Sequence, residues 1–296
     1  MNPTTFRIGG DLEVGRLGFG AMHLPTERGQ AWQDSIAVAR RAVELGVTLI
    51  DTAYLYAWGA NEELLAEALF PYPPELLVTT KVGIARSEET GEWGLDGRPE
   101  VLGKQVERAL RVLRVERLEL LQLHRIDPEV PLDEQVGALR ELKEAGKIGR
   151  IGLSEVGVGE LEAARRITDI ASVQNRYSLL HREHEQVLSA CAEAGIAFLS
   201  WRPVAGATPE TSARWGTEDD SGISDVVADV AAEVEATPAQ VALAWLLARS
   251  PVVLPIPGTG KMAHLEQNLA AAEVELSAEQ WARLDATRRD VDTVGV

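Results

Sequence analysis

A single cysteine, Cys191, stands in 296 residues, which excludes an intramolecular disulfide and fits a reducing compartment. Long apolar runs are missing too. None approaches the roughly 18 residues of a membrane-crossing helix, and the N-terminus lacks the basic-then-apolar pattern of a secretion signal. A cytoplasmic location is expected. Basic charge is scarce: 29 Lys and Arg face 46 Asp and Glu, a net charge of −17. Nucleic acid and anionic membranes both demand clustered cations, so small molecules are the expected partners, with a monomer the favoured state. The stretch Gly18-Phe19-Gly20-Ala21-Met22-His23 has no third glycine, so the Gly-x-Gly-x-x-Gly fingerprint of open-sheet dinucleotide folds is absent. His181-Arg182-Glu183-His184 does not follow the His-Glu-x-x-His order and no further ligand cluster accompanies it. No metal is expected.

What is present alternates. Phe6 to Val14 reads as a short hairpin turning on Gly9-Gly10-Asp11. From there, short apolar runs trade places with amphipathic helical ones. Strand-like runs fall at Leu17–Met22, Val47–Ile50, Leu76–Lys81, Leu118–Leu123, Gly149–Leu153, Ser172–Gln174, Ile196–Ser200 and Val252–Ile256. Helical patterns begin near Asp34, Glu62, Glu100, Leu132, Gly159, Glu183, Ser224, Pro238, His264 and Ala278, with Asn61 as the N-cap of the second. Gly46, Gly146 and Gly195 sit where glycine ends helices. Eight strands, each trailed by a helix, predict an α/β fold, a (β/α)8 TIM barrel, as one domain over residues 1–296. Two long loops are expected over the active face: Gly83–Pro99 with Trp93 after strand three, and Ala205–Gly222 with Trp215 after strand seven.

Polar residues gather at strand ends. Asp51 follows Val47-Thr48-Leu49-Ile50, Tyr56 stands five residues later, Lys81 ends Leu76-Leu77-Val78-Thr79-Thr80-Lys81, and His124 ends Leu118-Glu119-Leu120-Leu121-Gln122-Leu123-His124. On a barrel these ends meet at one rim. The chain has five lysines, and Lys81 alone ends a strand. A lysine ammonium beside Tyr56 is expected to lower the phenol pKa, Asp51 to keep that ammonium charged, and His124 to donate to a carbonyl oxygen. Such a set protonates an oxygen on which charge develops; it supplies no electrons, so a carbonyl reduction here needs a cofactor that does. The competing chemistry is a Schiff-base lyase acting through Lys81.

Asp51-Thr52-Ala53 with Tyr56 and Asn61-Glu62, then Thr80-Lys81, then Leu123-His124-Arg125, resemble the catalytic motifs of the aldo-keto reductases in order and spacing. The resemblance implies an NADPH-dependent reduction of aldehydes and ketones, with NADH as the alternative nucleotide. Tyr56 is then the general acid, tuned by Lys81 and Asp51, and His124 positions the carbonyl. Gly20-Ala21-Met22 is similar to the segment behind the nicotinamide ribose, a site Asp51 also borders. Ser154, Glu155 and Gln174 resemble the carboxamide holders, although many members have Asn where Glu155 stands. Trp201, followed by Arg202-Pro203-Val204, looks like the aromatic stacked on the nicotinamide. Gly258-Thr259-Gly260-Lys261 with His264 and Gln267-Asn268 resembles the adenosine segment, without the basic residues many members place at Gly258 and His264. Trp58, Trp93 and His124 are the expected lining of the substrate pocket. The family also includes potassium-channel β subunits, so a cofactor-binding regulatory subunit is the non-enzyme alternative.

Overall fold

The computed structural model describes residues 4–86, 91–204 and 225–287. Strands β1 (Thr5–Ile8) and β2 (Leu12–Gly15) pair antiparallel as the expected hairpin. Its turn holds Gly9 and Gly10 at φ 64° and 88°, a conformation that disfavours any side chain. Next come β3 (Phe19–Gly20), α1 (Gln30–Glu44), β4 (Leu49–Asp51), α2 (Ala60–Leu69) and β5 (Leu77–Val82). A small antiparallel pair, β6 (Ile84–Arg86) and β7 (Trp93–Leu95), precedes α3 (Pro99–Leu113), β8 (Leu118–Leu123), α4 (Leu132–Glu144), β9 (Ile148–Ser154), α5 (Val158–Arg165) and β10 (Ile170–Arg176). The chain continues through α6 (Glu185–Ala194), β11 (Ala197–Trp201), α7 (Asp225–Glu233), α8 (Pro238–Arg249), β12 (Val253–Pro255), α9 (Met262–Ala270) and α10 (Ala278–Asp285).

Eight parallel strands run in the order β12-β11-β10-β9-β8-β5-β4-β3. The two ends then meet: Gly18 N–H donates to the Pro255 carbonyl at 2.9 Å, Gly20 N–H to that of Pro257 at 3.1 Å, and Gly20 bridges Gly258. Glycine is required at this seam. A Cβ on Gly20 would lie 2.8 Å from the Ile256 carbonyl oxygen, and one on Gly258 2.7 Å from that of Gly20.

The hairpin plugs the bottom of the barrel, where Ile8 and Val14 pack on Leu49, Leu77, Leu120, Leu199 and Leu254. The outward faces of the strands bury against the helices in two further clusters. Gly46, Gly146 and Gly195 carry φ of 90°, 78° and 67° at helix ends, as expected of C-terminal caps.

Three expectations change. The first barrel strand, expected over Leu17–Met22, shortens to two residues because Ala21–His23 tightens into a 3₁₀ turn that leads the chain off the rim. Asn61 is not an N-cap: α2 starts at Ala60 after Gly59, and the Asn61 side chain is buried. The loop after strand three is not structureless, since β6 and β7 form a hairpin within it. Gln105 Oε1 accepts from Gly83 N–H at 2.8 Å and Asp127 Oδ2 from Gly97 N–H at 2.9 Å, pinning its two feet. Trp215, Ser224 and the second long loop lie outside the described residues.

Gly258→Ala should therefore lower stability by about 1–3 kcal/mol, the usual cost of an extra methyl group in a close-packed contact. Gly103→Ala in α3, where an added Cβ meets nothing within 4 Å, should be neutral or stabilise by up to about 1 kcal/mol. Urea unfolding of the two variants checks the contrast.

Candidate active site

Alternate residues of a barrel strand point inward, and here the inward set changes character along the barrel axis. Leu49, Leu77 and Leu120 belong to the apolar plug. Two residues further on stand Asp51, Thr79 and Gln122, and after those Lys81 and His124. Strands β4, β5 and β8 are neighbours, so Asp51, Lys81 and His124 converge at the carboxyl rim, where Tyr56 joins them from the loop after β4.

Lys81 is the centre of the group. Its side chain is fully buried, and Nζ donates to Asp51 Oδ2 at 2.6 Å, to the Thr52 carbonyl at 2.9 Å and to the Tyr56 hydroxyl oxygen at 3.1 Å. An ammonium has three N–H groups and no acceptor. All three are committed, and the Tyr56 oxygen must accept. Burial alone would lower the Lys81 pKa, but the charge of Asp51 and the neighbouring Tyr56 outweigh it and raise that pKa above the ordinary value. The other Asp51 oxygen accepts from Gln174 Nε2 at 2.7 Å and Gln122 Nε2 at 3.1 Å.

The expected lowering of the Tyr56 pKa is corrected in sign. Burial pushes the phenol above its ordinary value, and Lys81 pulls it back only in part. Burial, together with Lys81 and Arg125, holds His124 well below the imidazole value, so at neutral pH its ring carries one N–H. The Tyr56 and His124 rings meet edge to face, centroids 6.2 Å apart.

Helix α2 anchors the tyrosine loop. Thr52 Oγ1 donates to Asn61 Oδ1 at 2.6 Å and Asn61 Nδ2 to the Ala21 carbonyl at 2.9 Å. Thr80 Oγ1 donates to Glu62 Oε1 at 2.6 Å, and Arg108 Nη1 to Glu62 Oε2 at 2.5 Å. Trp58 packs edge-on to Tyr54 at 5.9 Å, with the Arg86 guanidinium 5.5 Å from its ring centroid. Trp93 is paired with Arg86 in the small hairpin and is 60% exposed.

On the cofactor side, barrel closure brings Gly20-Ala21-Met22 beside Gly258-Thr259-Gly260-Lys261. Thr259 Oγ1 accepts from Lys261 N–H at 3.1 Å. Lys261 precedes α9, which carries His264, Gln267 and the buried Asn268. Ser154 and Gln174 are register partners on β9 and β10. Arg125 Nη1 donates to Ser154 Oγ at 3.1 Å, so the serine keeps its own proton to give. Gln174 Nε2 donates to Asp51 Oδ1 at 2.7 Å and Gln122 Oε1 at 3.3 Å, leaving Gln174 Oε1 as an acceptor. One donor beside one acceptor suits a primary carboxamide, and so fits a nicotinamide. Glu155 is engaged otherwise: its Oε1 accepts from the Trp201 indole at 2.5 Å and from Arg176 N–H at 2.7 Å. Arg202 follows at φ 50°, Pro203 is buried, and Val204 packs against the main core. His181 and His184 precede α6 rather than open it; His181 meets Arg176 and Ser178, and His184 lies 3.8 Å from Glu155.

Gln122 and Arg108 were missed in the sequence, and Arg125 stood in a motif without a role. Gln122 could have been found, because it is a polar residue with the inward parity of Leu120 and His124. Arg108 carries no such signal, lying 46 residues from the Glu62 it holds.

His124 gives the site an acid sensitivity. Its folded pKa is depressed, so below about pH 6.5 the unfolded chain binds the extra proton and stability falls, while above that value His124 adds no slope. Stability at pH 5.5 should therefore be lower than at pH 7.5 by on the order of 1 kcal/mol, the scale of one pKa unit. His124→Gln should flatten that difference in urea unfolding.

Comparison with known proteins places this geometry in a family. The family model described as "Aldo/keto reductase family" matches residues 16–289. An uncharacterized oxidoreductase of Schizosaccharomyces pombe is 39% identical over 289 residues, covering 96% of this chain and 90% of its own length. The pyridoxine 4-dehydrogenase of Escherichia coli is 37% identical over 304 residues, covering 98% of this chain and 100% of its own. A solved aldo-keto reductase of Klebsiella pneumoniae in complex with NADPH superposes with a TM-score of 0.83 at 29% identity, covering 99% of this chain and 98% of that one. With its barrel closed at Gly20 and Gly258, and Asp51, Tyr56, Lys81 and His124 gathered at the carboxyl rim, the chain belongs to the aldo/keto reductase family.

Proposed function

We propose that the protein is an NADPH-dependent oxidoreductase that reduces aldehyde or ketone carbonyls to alcohols, with Tyr56 as the general acid. One observation carries the reading. Lys81 gives all three of its N–H groups to Asp51, Thr52 and Tyr56, so the Tyr56 proton is aimed away from Lys81. His124, neutral and buried beside it, offers its single N–H to the same carbonyl oxygen and orients it. Bound NADPH supplies the hydride. Tyr56 holds its proton until the oxygen gains charge, and the Lys81 ammonium then stabilises the phenolate left behind. This arrangement also speaks against a Schiff-base lyase, since a buried ammonium held by a carboxylate has no lone pair with which to attack a carbonyl.

Ser154 and Gln174 would hold the carboxamide and Trp201 the nicotinamide face. Gly258 has no room for a basic side chain, so Lys261 and the amides opening α9 are the groups that would meet an adenosine phosphate. The relative named pyridoxine 4-dehydrogenase puts the 4-aldehyde of pyridoxine first among carbonyls to try.

Tyr56→Phe should lower kcat by roughly 10²–10⁴-fold, the usual contribution of a positioned acid, while NADPH affinity measured by titration calorimetry stays near wild type. Wild-type turnover in that variant would overturn the mechanism.

A further inference from the structure

We propose that Glu155 is a positioning residue that fixes and polarises the Trp201 indole, so that this wall of the site favours the oxidised, cationic nicotinamide over the reduced, neutral one. The inference rests on the reading of the site as a nicotinamide site.

The Glu155 carboxylate faces Trp201. Its Oε1 accepts from the indole N–H at 2.5 Å and from the Arg176 backbone N–H at 2.7 Å, and His184 Nε2 stands 3.8 Å from Oε2. Its own backbone is held as well, with the Glu155 N–H donating to the Gln174 carbonyl at 3.0 Å. The residue sits at φ 55°, a left-handed conformation that a side chain such as glutamate rarely adopts. It persists there because strand register fixes both of its neighbours: Ser154 pairs with Gln174, and Arg176 pairs with Trp201. Burial would favour the neutral acid, yet the nearby His184, the bonds from Trp201 and Arg176, and the charge of Arg125 hold the carboxyl below its usual range. Glu155 is therefore an anion at neutral pH.

Two consequences follow. First, Glu155 Oε1 already takes two donors, and a carboxylate has no proton for a carboxamide oxygen; that task falls to Ser154. Second, a charge-assisted bond at the indole N–H shifts electron density into the ring. An electron-richer indole face attracts a cation more strongly and leaves a neutral ring almost unaffected. Oxidised nicotinamide is the cation of the pair. Trp201, at the end of β11 and locked by Glu155, thereby acts as a sensor of nucleotide redox state as well as a wall.

The test is titration calorimetry of NADP⁺ and NADPH binding to wild type, Glu155→Gln, Trp201→Phe and the double variant. Glutamine still accepts the indole N–H and removes only the charge. Glu155→Gln should weaken NADP⁺ by about three- to ten-fold and change NADPH by less than about two-fold, the range expected of a partly desolvated cation–π contact. Trp201→Phe, which lacks the N–H, should shift the ratio of the two dissociation constants the same way. In the Trp201→Phe background, Glu155→Gln should leave the ratio unchanged. An unaltered ratio in Glu155→Gln, or a shift that persists without the indole, overturns the proposal while leaving the nicotinamide site standing. Failure of wild type to bind either nucleotide overturns both.

Discussion

A lysine ammonium and an aspartate carboxylate 2.6 Å apart, both buried, set the terms for everything around them. Removing two charges from water is expensive, and their mutual attraction offsets the loss only if every remaining donor and acceptor is also met. The barrel meets that condition with four groups. Thr52 and Tyr56 complete Lys81, and Gln122 and Gln174 complete Asp51. Stranding either member would cost on the order of 3–5 kcal/mol, a large share of the 5–15 kcal/mol typical of a native protein. The same groups that neutralise the pair are therefore held as firmly as the core.

From that pair, direction propagates outward. Lys81 can only donate, so the Tyr56 oxygen accepts and its proton faces away. Asp51 can only accept, so Gln174 turns its amide N–H groups inward and presents its oxygen. Arg125 can only donate, so Ser154 Oγ accepts from it and the serine proton is left over. Three side chains that could each face either way are thus oriented by charged groups that cannot. A reactive rim in which each dipole has one sense requires no reorganisation when charge appears on a bound oxygen.

Local patterns in the sequence disclose those parts that local physics decides. The run Leu118–Leu123 and the helix opening at Leu132 were legible to the residue because apolar periodicity and flanking breaks specify them without help. The convergence of Asp51, Lys81 and His124 was legible because strand-end residues of neighbouring strands meet on any barrel. Asn61 misled, since Asn before two glutamates is the signature of a cap; its side chain serves instead a contact with Thr52 and Ala21, which come from elsewhere in the fold. The two-residue β3 was overestimated because its length depends on closure against Pro255 and Pro257 at the far end of the chain. The direction of the Tyr56 pKa was unreadable for a related reason. Proximity to Lys81 can be inferred from spacing, whereas the depth of burial that outweighs it belongs to the assembled barrel.

The tyrosine loop is shaped by the groups that anchor its two ends. Ala57 and Trp58 both adopt left-handed backbone, at φ 49° and 52°, and Gly59 follows at φ 90°. Left-handed geometry costs roughly 1–2 kcal/mol for each non-glycine residue, so the turn cannot persist on local preference. It is imposed at both ends: Tyr56 is held by Lys81, and α2 is held by Asn61 and Glu62. Between those anchors the chain has only three residues in which to reverse, and left-handed winding accomplishes it. Arg108 lies across the turn, its Nη2 only 1.8 Å from where a Cβ on residue 59 would stand, and from there it reaches Glu62. A side chain at 59 would have to take the left-handed φ of 90° and shift the Arg108 guanidinium from its place beside Glu62. Gly59 thus leaves room for that ion pair, and the strain beside Tyr56 is a consequence of anchoring the tyrosine at one end and its helix at the other.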